Sequence, residues 1–381
     1  MNLGDQSGLF DIPDGIAYLN CAYMSPQLRS MREVGERALA RKSRPWEIAP
    51  DDFFEEVEKV RDLFARIVGG EADGVAITPA VSYGIAVAAA NVRVERGENI
   101  LVLEDQFPSN VYSWRELASR SGAQVLTVPR PADLDWASAI LERLDENTAV
   151  LALPNCHWTD GSLVDLARVG ERAREVGSAL VVDGIQSLGA HPFAAPGVRP
   201  DFLVSAAYKW LLGPYGVGFM YVGEEYREGV PIEHNWINRR GSEDFSGLVS
   251  YQDAFQPGAR RYDVGERSNF ALIPMANEAM RQLLDWGIDN VSETIGGLTD
   301  LIEARAEELG IEAIPAERRV RHMIGLKLGS QAPEGLAARL ASQNVFVSVR
   351  GESVRVSPHV YNTESDVDRL FEVLGGTFRE G

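Results

Sequence analysis

Two stretches decide how this chain folds: Ser178-Ala-Leu-Val-Val-Asp183, and Asp201-Phe-Leu-Val-Ser205-Ala-Ala-Tyr208-Lys209-Trp-Leu-Leu-Gly213-Pro-Tyr-Gly216-Val-Gly218. Each opens as a short, uninterrupted apolar run, the pattern of a strand buried on both faces. Each run delivers a charged residue at its carboxyl end, Asp183 in the first and Lys209 just past the second. Further runs of strand length lie on either side: Val75 to Pro79, Ile100 to Glu104, Gln124 to Val128, Ala149 to Leu153 and Gly218 to Val222. Helical patterns separate most of them, at Ser82 to Ala90, Tyr112 to Ser121, Asp135 to Leu144 and Leu163 to Val176. Another, Glu55 to Val68, precedes them and is closed by Gly69-Gly70. Buried strands alternating with helices predict an α/β fold built on a mainly parallel, mixed sheet. Almost no linker separates the last two strands, which predicts an antiparallel hairpin at the edge of that sheet.

Past Met275 the rhythm changes. Helical stretches at Met275 to Leu284 and Val291 to Leu309 precede short strands at Met323 to Leu328, Val345 to Val349 and Val354 to Ser357, and a helix at Glu364 to Leu374. This reads as an N-terminal segment over 1–15, a large domain over 16–262 and a smaller α+β domain over 263–381. The segment Tyr226 to Tyr262 is polar, aromatic and irregular, and such long loops usually carry function.

Composition narrows the functional classes. The 381 residues carry 37 basic and 56 acidic side chains, a net charge of −19, which argues against a general nucleic-acid binder. No apolar run of about 18 residues suggests a membrane span. The first residues have neither the basic start nor the apolar core of a secretion signal. Cys21 and Cys156 are the only cysteines, read as free thiols of a cytoplasmic protein, and no zinc-ligand spacing occurs.

Ligands of open α/β sheets bind at the carboxyl ends of the strands. An acid and a lysine delivered there by two strands form the pair that a pyridoxal phosphate site needs. The lysine amine forms a Schiff base with the aldehyde, and the carboxylate keeps the pyridine nitrogen protonated. Asp183 alone reads equally as a helix cap, and a lone Lys209 as a snorkelling surface residue. The flanking Ser205, Tyr208 and glycine-rich turn weaken the bland reading of Lys209. Thr78-Pro-Ala-Val-Ser82-Tyr-Gly84 offers a phosphate cradle at a helix start, through the Val81 and Ser82 amides and the Ser82 hydroxyl, although Ser82 serves as well as a plain cap. Arg355 stands mid-strand among apolar residues, where an unpaired cation is costly, so a site role is favoured. No Gly-x-Gly-x-x-Gly occupies an early strand–helix turn, which disfavours a nucleotide-binding dehydrogenase.

The block Asp183-Gly-Ile-Gln186-Ser-Leu-Gly, with Pro200-Asp-Phe-Leu-Val-Ser205-Ala-Ala-Tyr208-Lys209-Trp-Leu and Gly213-Pro-Tyr-Gly216, resembles class V aminotransferases, which are fold-type I pyridoxal phosphate enzymes. The resemblance runs from Tyr18-Leu-Asn20 to Arg355-Val-Ser-Pro-His-Val-Tyr-Asn362-Thr. It implies a three-layer large domain, pyridoxal 5'-phosphate as cofactor, an amino acid as substrate, and a homodimer with active sites at the interface. It implies a role for each matching residue: Lys209 as Schiff-base lysine and proton shuttle, Asp183 on the pyridine nitrogen, Gln186 on the ring hydroxyl, Ser205 and Ser82 on the phosphate, Phe107 against the ring, and Arg355 on the substrate carboxylate. Val81, Tyr208, Trp236 and Asn269 join the cofactor shell, with Asn269 reaching a partner's phosphate; Asn20 and Asn110 are candidate substrate contacts.

Within the family, Tyr208 replaces the histidine of many cysteine desulfurases, and Phe107-Pro-Ser-Asn110, Asn235-Trp236 and Gly265-Glu-Arg-Ser268-Asn269 are similar to kynureninase segments. No cysteine follows Cys156, which disfavours a persulfide-forming desulfurase. The expectation is an aminotransferase or a desulfurase-like or selenocysteine lyase-like lyase, with a kynureninase-like hydrolase or isopenicillin-type epimerase as the alternative. In Asn155-Cys-His157-Trp158, either Asn155 or His157 could touch the cofactor, and His157 reads equally as an acid–base group or a satisfied structural histidine.

Overall fold

The computed structural model describes residues 2–328, 335–351 and 353–379. Residue 1 of the expected N-terminal segment, and residues 329–334, 352, 380 and 381 of the expected small domain, lie outside the described residues. In chain order the first elements are β1 (Ala17–Tyr18), α1 (Arg29–Lys42), α2 (Glu55–Val68), β2 (Val75–Thr78), α3 (Val81–Asn91), β3 (Asn99–Leu103), α4 (Tyr112–Ser121) and β4 (Gln124–Val128). Then come α5 (Trp136–Leu141), β5 (Thr148–Pro154), α6 (Leu166–Val176), β6 (Ala179–Asp183), α7 (Ala195–Val198), β7 (Phe202–Ala206) and β8 (Gly218–Val222). The remainder comprises α8 (Leu272–Trp286), α9 (Ile288–Glu308), β9 (Glu312–Ala313), β10 (Ile324–Lys327), α10 (Leu336–Ser342), β11 (Val345–Phe346), β12 (Ser348–Arg350), β13 (Ser353–Val356) and α11 (Glu364–Arg379).

Seven strands form the main sheet in the order β2-β8-β7-β6-β5-β3-β4. The five strands from β7 to β4 run parallel, and β8 is antiparallel to both of its neighbours. The expected β7–β8 hairpin is present, but it is not the sheet's edge: β2, from far earlier in the chain, pairs outside β8. Alternation along each strand splits its side chains between two cores, giving helix–sheet–helix layers. Leu101, Leu151, Val182 and Leu203 face the layer that contains α2 and α8, whereas Val102, Ala152, Val181 and Val204 face that of α3 and α4.

Local chemistry sets the helix ends. Helix α2 opens on Glu55, Glu56 and Glu58 and stops at Gly69 in the left-handed region (φ 67°), as helix polarity favours. Asp165 caps α6 by accepting from the Arg168 amide at 3.1 Å. Asp135 likewise accepts from Ser138, so the helix expected from Asp135 to Leu144 runs only from Trp136 to Leu141. By contrast α3 starts at Ala80 without a side-chain cap. Its first amides therefore remain available to a ligand.

A second sheet, β12-β13-β10-β9, packs against α9 and α11 around Leu326, Val354, Val356, Ile302 and Leu370. The strand expected over Val345 to Val349 is broken: Val345–Phe346 leaves the small sheet to pair in parallel with Ala17–Tyr18. Ala17 and Leu19 thus belong to the small unit's core, while α8 and the start of α9 pack into the large one. Leu19, Asn20 and Ser357 join the two units, and the segment that follows reaches the turns after β6 and β7, where Ala22 accepts from Gln186 and the Ser25 amide donates to the Tyr208 carbonyl.

Candidate active site

Asp183 ends β6, level with Pro154 on β5 and Val204 on β7. It is buried and accepts the Ile185 amide at 3.0 Å. Lys209 follows β7 on a tight turn in which Leu212 is held at φ 55° and Gly216 at φ 88°. A cleft between them is lined by Phe107, Asn110, Cys156, Trp158, Asp183 and Lys209. One glycine is indispensable to this arrangement. Gly189 has φ 103°, and a Cβ there would lie 2.2 Å from the Trp210 carbonyl, so the turn after Asp183 can press against the Lys209 segment only with glycine.

Lys209 is 7% exposed, whereas the chain's other lysines, Lys42, Lys59 and Lys327, are exposed. Burial, then the charge of Arg355, lowers its pKa to about 8. Burial raises Asp183 to about 6 against the opposing pull of the Ile185 amide and Lys209. An amine brought down to about 8 and a buried carboxylate raised to about 6, both lining one cleft, are the electrostatic state expected of a site for pyridoxal phosphate.

Gln186 is held by its Nε2 donating to the Ala22 carbonyl (3.2 Å) and by Trp210 Nε1 donating to its Oε1 (3.1 Å). Phe107, 40% exposed, rims the cleft edge-on to Trp158, with its ring centroid 5.8 Å from Lys209 Nζ. Tyr208 stands 5.7 Å from the same nitrogen. Asn110 is fully buried; its Oδ1 accepts from Trp114 and its Nδ2 has no partner. Asn20 Oδ1 accepts from Ser348 (2.8 Å), and Ser348 lies opposite Arg355 across β12–β13. Arg355 is 2% exposed; its Nη1 donates to the Trp158 carbonyl at 2.7 Å, its Nε has no partner, and among the described residues no carboxylate pairs with it. Burial, then the charge of Arg350, lowers its pKa to about 9.

Some expected residues sit elsewhere or are otherwise engaged. Ser82 is exposed at the start of α3, while the hydroxyls of Thr78 and Ser205 are buried and without partners on either side of Gly218. A Cβ at Gly218 would come within 3.0 Å of Thr78 Oγ1 and 2.8 Å of the Ser205 carbonyl, so the backbone closes tightly there. Trp236 and Asn269 line a separate cavity of about 460 Å³ with Phe53, Ser268 and Phe270, away from the Lys209 cleft of the same chain. His157 has both ring nitrogens engaged, Nδ1 with Thr159 Oγ1 (2.7 Å) and Arg130, Nε2 with the Glu104 carbonyl (3.0 Å), and it stacks on Trp136. That is the satisfied structural arrangement. Asn155, not His157, keeps an unpartnered oxygen.

Sequence reasoning missed the buried, unpartnered Thr78 hydroxyl, and Trp158 and Cys156 as cleft walls. The only available signal was their position directly after apolar strands. Both cysteines are fully buried, which pushes their thiols well above the usual range, and Cys156 donates to the Gln186 carbonyl (3.4 Å). A thiol-specific disulfide reagent should therefore find essentially no reactive thiol in native protein and two after unfolding; rapid labelling of the native chain would show an open, reactive cysteine.

The comparisons with known proteins agree with this geometry. The family model described as aminotransferase class-V matches residues 30–370, and the chain belongs to that family. It is 25% identical over 355 residues to the uncharacterized aminotransferase YcbU of Bacillus subtilis, covering 93% of this chain and 91% of that protein. It is 25% identical over 348 residues to isopenicillin N epimerase of Streptomyces clavuligerus, covering 83% of each. The cysteine desulfurase CsdA of Escherichia coli superposes with a TM-score of 0.83 at 18% identity, over 98% of this chain and 97% of that one. The fold is thus the three-layer, fold-type I arrangement, and the chain is a pyridoxal phosphate enzyme. The residues present fit the cofactor: buried lysine and aspartate face one cleft, unpartnered hydroxyls flank the tight Gly218 turn, and a helix start is uncapped. Among the described residues no helix is long and apolar enough to cross a membrane.

Proposed function

We propose that this enzyme converts an amino acid by transamination or by elimination at its side chain, without a persulfide on its own cysteine. The observation that carries this reading is the buried Lys209 and Asp183 in one cleft, near an Arg355 that pairs with no carboxylate among the described residues, combined with two thiols that have no exposed surface. Pyridoxal phosphate, when bound, supplies an aldehyde for the amine and a ring that takes up electrons. Asp183 holds the proton on the ring nitrogen. Thr78, Ser205 and the first amides of α3 take the phosphate, with Val81 and Ser82 contributing main chain. Arg355 fixes the substrate carboxylate as a two-pronged donor, and Phe107 closes the open side. Lys209, depressed to about 8, takes the substrate proton at Nζ and returns it.

The epimerase among the relatives supports a second reading, in which Lys209 returns that proton to the opposite face. The exposed position of Trp236 and Asn269 supports a homodimer in which they complete the partner's site, and two free buried thiols suit the reducing cytoplasm. The test is to mix cofactor-loaded protein with a panel of amino acids, following the visible spectrum together with release of oxo acid, ammonia and sulfide or selenide. Oxo acid formed without free ammonia supports transamination, and oxo acid released together with ammonia and sulfide or selenide supports elimination. Racemised substrate without release supports the epimerase. A spectrum that no amino acid perturbs would sink the proposal.

A further inference from the structure

Arg355 is not alone beside this cleft: the charges of Arg355 and Arg350 both bear on Lys209. On the antiparallel pair β12–β13, Ser348 lies opposite Arg355 and Arg350 opposite Ser353. Residues two apart on a strand share a face, so Arg350 and Arg355 project from the same side as diagonal neighbours. Both converge on Trp158, a wall of the Lys209 cleft: Arg355 donates to its carbonyl at 2.7 Å, and the Arg350 guanidinium lies 5.8 Å from the centre of its ring. Arg350 is partly buried, and among the described residues its side chain makes one hydrogen bond, to the neighbouring Val349 carbonyl (2.9 Å). Among the described residues no acidic side chain pairs with either arginine. Two like charges on one face repel each other, and an anion arriving between them relieves that repulsion. The α-carboxylate occupies only one of the two.

We propose that the substrate carries a second anionic group on a short side chain, bound by Arg350 while Arg355 holds the α-carboxylate: an acidic amino acid of four or five carbons, or its sulfinate or sulfonate analogue. This rests on the reading of the cleft as an amino-acid site. Trp158 serves as the shared platform that holds both guanidinium groups apart.

The experiment has two arms, each run on wild type, Arg350→Gln and Arg350→Lys. In the first, cofactor-loaded enzyme is titrated with L-glutamate, L-glutamine, L-aspartate and L-asparagine, with binding read from the visible spectrum. Wild type should bind an acidic amino acid at least about tenfold more tightly than its amide. Arg350→Gln should abolish that preference, and Arg350→Lys should restore part of it. In the second arm, glutarate and butyrate are compared by calorimetry, with no chemistry required; glutarate should bind more tightly by a similar factor, again dependent on Arg350. Equal affinity for acid and amide, or a preference that survives in Arg350→Gln, overturns the inference. If no amino acid perturbs the spectrum, the functional reading fails, yet the calorimetric arm still decides whether Arg350 selects a second anion.

Discussion

Lys209→Ala should lose turnover by at least about a thousandfold, because in the proposed reaction one side chain serves both as the cofactor's anchor and as the proton carrier. The expectation comes from burial. Of the four lysines only Lys209 is withdrawn from water, and burial together with Arg355 brings its amine to about 8, so a useful fraction is unprotonated near neutral pH. An exposed lysine, with its amine near 10.4, would be almost wholly protonated and could not attack. Alanine removes a buried charge and leaves a small void beneath Phe107 and Tyr208, so the fold should survive, and a thermal melt of the variant serves as control. Steady-state turnover on the responsive amino acid is the measurement. Substrate should still perturb the spectrum of the loaded variant, since Arg355 and Asp183 remain. Turnover within a few fold of wild type would place the chemistry on another group.

Asp183→Asn should have opposite effects on activity and on the cofactor-free fold. Asparagine cannot hold a proton on the pyridine nitrogen as a carboxylate does, so activity should fall by two orders of magnitude or more, on the order of a lost acid–base group. Without cofactor, however, the carboxylate is a buried charge whose pKa rises from 3.8 to about 6. Between those two values the folded state binds more proton than the unfolded state, so stability falls as pH rises through the window and stays lower above it. The full penalty, on the order of 3 kcal/mol at most, is present above pH 6 and absent below about pH 4. Asparagine keeps the acceptor for the Ile185 amide and carries no charge. Cofactor-free Asp183→Asn should therefore melt higher than wild type at pH 7.5, and the two should converge near pH 4. A variant that melts lower at pH 7.5 would mean that Asp183 is stabilised by a partner other than the cofactor.

The Asp183–Lys209 pair was legible because it is written locally, at the ends of consecutive apolar runs, and a parallel sheet brings such ends together. The unpartnered hydroxyls beside Gly218 were less legible. Ser82 had the right residue type at a helix start, but the buried, unpartnered hydroxyls belong to Thr78 and Ser205, which meet across β8 only because β2 returns to pair with it. The same long-range pairing moved β8 from the edge to the interior. It also broke Val345 to Val349 in two, since nothing near position 345 announces a partner at Ala17. Arg350 and Trp158 could not be read as neighbours for the same reason: register across β12–β13 and the packing of the small unit on the large one join them. His157 is the reverse case. Its residue type suggested chemistry, and only its contacts show both nitrogens engaged.

The lysine that anchors the cofactor is found by loading the protein with pyridoxal phosphate, reducing it with borohydride, digesting it and locating the modified peptide by mass spectrometry. The label should fall on the peptide containing Lys209 and nowhere else, with loss of the visible band. Stoichiometric label on Lys42, Lys59 or Lys327, or none on any lysine, would show that Lys209 does not anchor the cofactor.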